Sequence, residues 1–84
     1  MPYIKKEDRK IWEDMALALP KTAGELNYVL TKIALVYLPD VPRYNDYNEV
    51  IGVLECMKQE FYRRAVAPYE DKKIKENGDV YEGN

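Results

Sequence analysis

The stretch GELNYVLTKIALVYL, residues 24–38, is the most apolar part of this chain of 84 residues, and it decides the fold. Its apolar residues recur every three or four positions, which predicts an α-helix over about residues 22–38. Thr22 and Glu25 stand three apart at its start, which is the spacing of a capping box. The last turns, IALVYL, are apolar on every side, and such a helix must be covered on every side. We therefore expect a partner chain to cover part of it.

Two more helices are predicted, one before and one after this segment. The first covers about residues 6–19, because Pro20 follows and cannot continue a helix. After the loop PDVP, Asp46 and Glu49 repeat the cap spacing and open a helix over about residues 46–67. Apolar residues follow a heptad-like spacing along that helix, namely Tyr47, Val50, Leu54, Met57 and Phe61.

The stretch EFYRRAVAPYEDKKIKENGDVY, residues 60–81, places a proline inside a helical pattern. Pro68 lacks an amide hydrogen and disfavours helical geometry at the residue before it, so we predict a break there. A short fourth helix over residues 68–77 then ends at an Asn-Gly pair, a typical left-handed helix end. Residues 78–84 form a tail. The alternative is one continuous helix that is kinked at the proline.

Together these elements predict an all-α fold: a three-helix small domain with a short fourth helix, one domain over residues 1–84. The apolar second helix predicts that this domain assembles as an oligomeric helical bundle, with a homo-oligomer or homodimer as the working unit. Eight tyrosines stand against one phenylalanine and one tryptophan. Tyrosine is favoured at contact surfaces, so its abundance also indicates interfaces with other chains or with a ligand.

Composition excludes several classes of function. The chain has no histidine, no serine and one cysteine, which excludes a serine triad and an internal disulfide and leaves a poor ligand set for zinc. We therefore predict no metal, no cofactor and no enzymatic activity. Thirteen basic and fifteen acidic residues are spread evenly, which argues against duplex nucleic acid as a partner. The apolar stretches are too short to span a bilayer and the N-terminus is polar, so we expect a cytoplasmic protein without a membrane partner.

The candidate ligand-binding residues stand at helix starts, along polar stripes and around the predicted break. Arginine binds phosphate through two parallel hydrogen bonds, and tyrosine rings stack on nucleobases. Amides and carboxylates recognise the edges of a base or a ribose. The candidates are Arg43, Arg63 and Arg64 for phosphate, Tyr44, Tyr62 and Tyr69 for stacking, and Asn27, Asn48 and Glu55 for base or ribose edges.

Each group of candidates has a simpler interpretation. The adjacent arginines can form surface salt bridges with Glu60 or Glu70, and such pairs contribute little energy. The polar stripe on the third helix can be a solvated face rather than the wall of a pocket; it consists of Asn48, Glu55, Gln59 and Tyr62. Both interpretations remain open from the sequence.

Four stretches give the chain a distinctive pattern: MPYIKKEDR, GELNYVLTKIALVYL, RYNDYNEVIGVLECMKQEFYRR and APYEDKKIKENGDVY. Together they resemble a family of short uncharacterised proteins from bacteria and their phages, classed as a domain of unknown function. Its signature here is GELNY, NEVIGVLE and EFYRR followed by PYEDKKIKENGDVY. The resemblance implies a phage or prokaryotic cytoplasmic setting, which is the host-cell cytoplasm if a phage encodes the chain. It implies no activity and no site residues.

The sequence therefore leads to two expectations of function. The first is a non-catalytic protein that binds a small ligand between subunits, as a phage-type anti-defence protein that sequesters an anionic nucleotide signal of the host. The alternative is a homodimeric protein–protein interaction module, a regulator or inhibitor of a host or phage protein. Its tyrosines and arginines would then be the residues that dominate binding to that protein.

Overall fold

The computed structural model describes residues 3–13 and 19–81, and over them the chain is all-α without a strand. It contains the helices α1 (Lys6–Glu13), α2 (Ala23–Tyr37), α3 (Tyr44–Phe61) and α4 (Ala67–Asn77). A π-helical turn, Tyr62–Val66, joins α3 to α4, so the chain is helical without interruption over residues 44–77. The prediction of an all-α fold is thus confirmed.

Residue contacts divide the chain into two units, Met1–Val53 and Leu54–Asn84. The first unit holds α1, α2 and the beginning of α3. The second holds the rest of α3, the π-helical turn, α4 and the tail. The first helix was predicted to reach residue 19; α1 ends at Glu13, and residues 14–18 of the prediction lie outside the described residues.

The start of α2 shows the predicted cap with one difference. The Thr22 hydroxyl accepts a hydrogen bond from the Glu25 amide at 3.1 Å, as the spacing predicts. The Glu25 carboxylate reaches back to the amide of Lys21 at 2.7 Å, one residue beyond the position expected in a capping box. The bond to Thr22 occupies one of the first amides of the helix, which would otherwise lack a partner, and the bond from Lys21 fixes the residue before the cap.

The start of α3 differs from the prediction, because the helix begins at Tyr44 and Asp46 is not its first residue. Asp46 lies in the first turn, and its carboxylate accepts from the Arg43 amide at 2.8 Å. Arg43 therefore occupies the cap position. Glu49, expected to complete the cap, accepts a hydrogen bond from the Tyr37 hydroxyl at 3.1 Å and ties the end of α2 to α3. This bond to a carboxylate raises the pKa of the Tyr37 phenol.

The sequence predicts a break between two helices at Pro68. The helix instead continues there through a wider, π-helical turn. In an α-helix the proline ring would collide with the carbonyl group four residues earlier, which belongs to Arg64. One additional residue in the turn relieves this collision, and the Ala67 amide donates to the Tyr62 carbonyl five residues back. At the other end of α4, Gly78 has a φ of 89° and its amide donates to the Ile74 carbonyl at 2.8 Å.

None of the residues that the structure describes is buried within the single chain. Large apolar side chains on both longer helices are exposed as well, among them Ile33 and Val36 on α2 and Met57 and Phe61 on α3. Val29, Leu30 and Val50 are half-buried. No helix in the described part of the chain is long and apolar enough to cross a membrane. Over residues 3–13 and 19–81 the helices of the single chain therefore enclose no buried core.

Candidate functional site

The π-helical turn gathers three of the candidate residues in consecutive positions: Tyr62, Arg63 and Arg64. All three side chains are exposed. The turn exists here because Pro68 prevents a regular α-helical turn, as described above. The sequence therefore places one aromatic ring and two guanidinium groups in the widest turn of the long helix.

Tyr62 spans the π-helical turn and reaches α4. Its hydroxyl donates to the Glu70 carboxylate at 2.6 Å, a short hydrogen bond to a charged acceptor. This bond and the negative charge of Glu70 raise the pKa of the Tyr62 phenol, because the bond requires the proton to stay on the hydroxyl. The bond contributes to stability below the ordinary tyrosine pKa of about 10, and this contribution is lost as the pH rises through the higher pKa of the folded state.

We predict that the Tyr62 phenol titrates above the ordinary pH range of tyrosines and that Glu70→Gln returns it toward that range. A glutamine carries no charge, so both causes of the raised pKa are weakened. The check is a pH titration of the ring carbons by NMR with labelled tyrosine. Tyr37 is the internal control, since Glu49 raises its pKa independently and Glu70→Gln should leave it in place. An unchanged Tyr62 titration in Glu70→Gln would contradict the assignment.

The two arginines are held by interactions within the chain. The Arg63 guanidinium lies 3.5 Å from a Glu60 carboxylate oxygen, with 71% of its side chain exposed. An ion pair this open contributes little energy, so another anion can replace Glu60 at small cost. Arg64 is also exposed and also has a partner within the chain. The surface salt bridge with Glu60 that the sequence suggested is therefore present at Arg63.

The polar stripe of α3 is solvent-exposed in the single chain. Glu55 accepts from the Gln59 amide at 3.0 Å and lies 3.3 Å from the Lys58 ammonium. The bond from Gln59, together with Lys58, lowers the pKa of Glu55 and so favours its ionised form. On α2, the Thr31 hydroxyl donates to the Asn27 carbonyl at 2.7 Å and lies 3.1 Å from the Asn27 amide oxygen. Asn48 is exposed on α3.

The remaining candidates stand at two other places. Arg43 and Tyr44 begin α3 in the first unit, where the Asp46 carboxylate already supplies negative charge to the helix start. This carboxylate disfavours an additional anion at that helix end. In the second unit the Lys73 ammonium lies over the Tyr69 ring, 5.6 Å from the ring centroid. Of the nine candidates, the structure brings only Tyr62, Arg63 and Arg64 together in one turn.

The second unit also contains an open groove of about 450 Å³, which the sequence did not reveal. We call it the tail groove, because it lies between Tyr62 at the beginning of the π-helical turn, α4 and the tail residues 78–81. Its lining includes the rings of Tyr62 and Tyr81 and three carboxylates, those of Glu70, Asp71 and Asp79. The Asn-Gly pair at residues 77–78 was the available signal, since it predicts a reversal of the chain at the end of α4.

Within residues 3–13 and 19–81, no group of three or more histidine, cysteine or carboxylate side chains is placed to hold a metal ion. The lone Cys56 is exposed in the single chain.

Comparison with known families and structures gives one match. The family model described as a domain of unknown function, DUF6899, matches residues 1–80 of the chain. No curated protein and no solved structure matches it.

Proposed function

Because the chain belongs to the DUF6899 family, whose description assigns no activity, we propose a function from the residues of the chain itself. In this proposal it is a non-catalytic binding protein that holds a small anionic nucleotide in pockets between subunits. The setting implied by its motifs is a bacterium or its phage. There the protein would act in the host cytoplasm and sequester a nucleotide signal of host defence.

The observation that carries the proposal is the π-helical turn Tyr62–Val66. Single π-helical turns within α-helices occur frequently at functional sites. Here the turn presents a ring that can stack on a base and two guanidinium groups that can bind phosphate. The weak, exposed pair of Arg63 with Glu60 leaves that arginine able to exchange one carboxylate for a phosphate.

The amount of exposed surface supports pockets made by association. The chain exposes 8243 Å². Folded proteins of the sizes of the two units, counted as separate bodies, would together expose only roughly 6,200 Å². The excess of roughly 2,000 Å² is larger than the roughly 800 Å² that each partner contributes to a standard interface. Each chain therefore has enough open surface for more than one contact with other copies.

The chemistry of the ligand follows from the candidate residues. Arg63 and Arg64 would take the phosphate, and Tyr62 would stack on the base. The remaining candidates supply further contacts to base, ribose and phosphate: Asn27, Asn48, Glu55, Arg43, Tyr44 and Tyr69. The tail groove is excluded as the phosphate site, because its three carboxylates would repel an anion.

The test is a thermal-shift panel of cyclic and linear nucleotides against the purified chain. A ligand present at about 100 times its dissociation constant adds about 2.7 kcal/mol to the free energy of unfolding. For a domain of this size we expect a melting temperature higher by about 10 °C or more. Inorganic phosphate alone should give a much smaller rise. If no nucleotide shifts the melting temperature and the chain purified from its host carries no nucleotide, the proposal fails.

A second candidate function is the protein-interaction module. The observation that favours it is the number of large aromatic and aliphatic side chains that the described chain leaves open, among them Trp12, Tyr28 and Tyr44. Tryptophan, tyrosine and arginine are the residues that most often dominate protein interfaces. Affinity purification from the host would then yield one protein in fixed ratio with the chain, and the nucleotide panel would be negative.

A further inference from the structure

The tail groove has the size and the walls of a small-molecule site. Its volume of about 450 Å³ falls within the roughly 300–1,000 Å³ typical of ligand pockets. Two tyrosine rings line it, Tyr62 with half of its surface exposed and Tyr81 with 77% exposed. The aliphatic side chain of Ile74 adds an apolar part to the wall. The lining therefore offers aromatic faces and one aliphatic contact to a ligand.

The charges of the tail groove select the kind of ligand. Three carboxylates line it, and the one basic lining residue, Lys73, has its ammonium 3.3 Å from Glu76. The same ammonium lies 5.6 Å from the centroid of the Tyr69 ring. Neither Glu76 nor Tyr69 lines the groove, so both partners of this lysine lie outside it. Negative charge thus prevails among the lining side chains.

From this combination of a cavity, two rings and excess carboxylates, we infer that the tail groove binds a small organic cation, an ammonium or guanidinium group on an aliphatic stem. Carboxylates only accept hydrogen bonds, and ammonium and guanidinium groups only donate them. A cation placed against the face of a tyrosine ring gains further attraction. The stem would pack on Ile74. This site shares the Tyr62 ring with the proposed nucleotide site, but its charged groups are carboxylates instead of arginines, and it does not depend on the proposed function.

The test is an NMR titration of the full-length, isotope-labelled chain with agmatine, which carries a guanidinium and an ammonium on an aliphatic stem. We expect saturable shifts of the backbone amides of residues 77–81. Asp71→Asn should raise the dissociation constant about fivefold, through the loss of one charged partner. Tyr81→Leu should raise it about threefold, because the leucine keeps apolar bulk but has no ring.

Two matched variants control for unspecific effects of charge and of ring loss. Asp40→Asn removes an exposed carboxylate, and Tyr3→Leu removes an exposed ring, both outside the tail groove. Both should keep the dissociation constant of the native chain. Equal weakening by Asp71→Asn and Asp40→Asn, or equal shifts with sodium ions, would overturn the inference, because only diffuse attraction would remain. Shifts that never saturate would overturn it too.

The same variants distinguish ligand binding in the tail groove from nucleotide binding at the π-helical turn. Asp71→Asn should leave the affinity for nucleotide unchanged, and replacement of Arg63 and Arg64 should leave the affinity for agmatine unchanged. Agmatine binding without nucleotide binding would support the groove alone. Nucleotide binding without agmatine binding would reject the groove and leave the proposed function standing.

Discussion

A variant with Arg63 and Arg64 both replaced by glutamine binds nucleotide at least about a hundredfold more weakly than the native chain, if these arginines take the phosphate. Hydrogen bonds to charged groups contribute about 1.5–3 kcal/mol each, which corresponds to roughly tenfold or more for each arginine. Glutamine keeps part of the length and polarity of arginine and loses its charge. The measurement is isothermal titration calorimetry with the nucleotide that gives the largest thermal shift.

The control for this prediction removes two positive charges elsewhere. Lys72 and Lys75 lie on α4, are exposed, and do not line the tail groove. Their replacement by glutamine should change nucleotide affinity less than about threefold, which is the scale of screened surface charges. A similar loss in both double variants would show that only net charge matters. If the arginine variant bound nucleotide with the affinity of the native chain, the π-helical turn would not be part of the binding site.

The second large effect is expected from Val36→Glu on α2. Val36 is 81% exposed in the single chain, so in a chain that works alone this substitution should change the free energy of unfolding by less than about 0.5 kcal/mol. If another copy covers Val36, the substitution would place an unpaired carboxylate in an interface at a cost of several kcal/mol. We expect the assembly to dissociate and the helix content by circular dichroism to fall.

Lys32→Glu is the matched control on the same helix. It changes the charge by two units at an exposed position that already carries a charged side chain. Because this position suits a solvated charge, the mass of the assembly should stay that of the native chain. If Val36→Glu likewise keeps the native mass and helix content, the apolar side of α2 is not an interface.

The helices were predictable because their signals are local. The three-to-four residue spacing of apolar positions and the cap formed by Thr22 and Glu25 depend only on neighbours in the sequence. The end of α4 at Gly78 has the same origin, since a glycine adopts a positive φ with little strain. At these two helix ends the residues that carry the signal also make the hydrogen bond.

Two features were not predictable because the sequence permits several local solutions, and a third because it depends on residues that are distant in the sequence. A proline inside a helical pattern permits a break, a kink or a widened turn. The presence of Pro68 alone does not determine which of the three forms. The type of residue at position 46 suits either the cap position or the first turn of a helix. Asp46 lies in the first turn, where its carboxylate accepts from the Arg43 amide. Glu49 bonds Tyr37 instead of completing a cap, which requires the return of the chain after α2.

The candidate site was predictable only where its residues are consecutive. Tyr62, Arg63 and Arg64 share a turn because they are neighbours in the chain, whatever the tertiary arrangement. The tail groove requires the tail to turn back at Gly78 beside α4, so Tyr81 and Asp79 gave no signal as isolated residues. Exposure of the apolar stripes is likewise a property of the folded chain, and it supports the expectation of partner chains.

The central claim is that this chain buries its apolar helix surfaces in interfaces with other copies of itself. Its most direct test is multi-angle light scattering on a gel-filtration column at micromolar concentration, with the native chain and without ligand. The account predicts a discrete species with at least twice the mass of one chain, helical by circular dichroism and unfolding in one cooperative transition. A stable, cooperatively folded species with the mass of a single chain would contradict it.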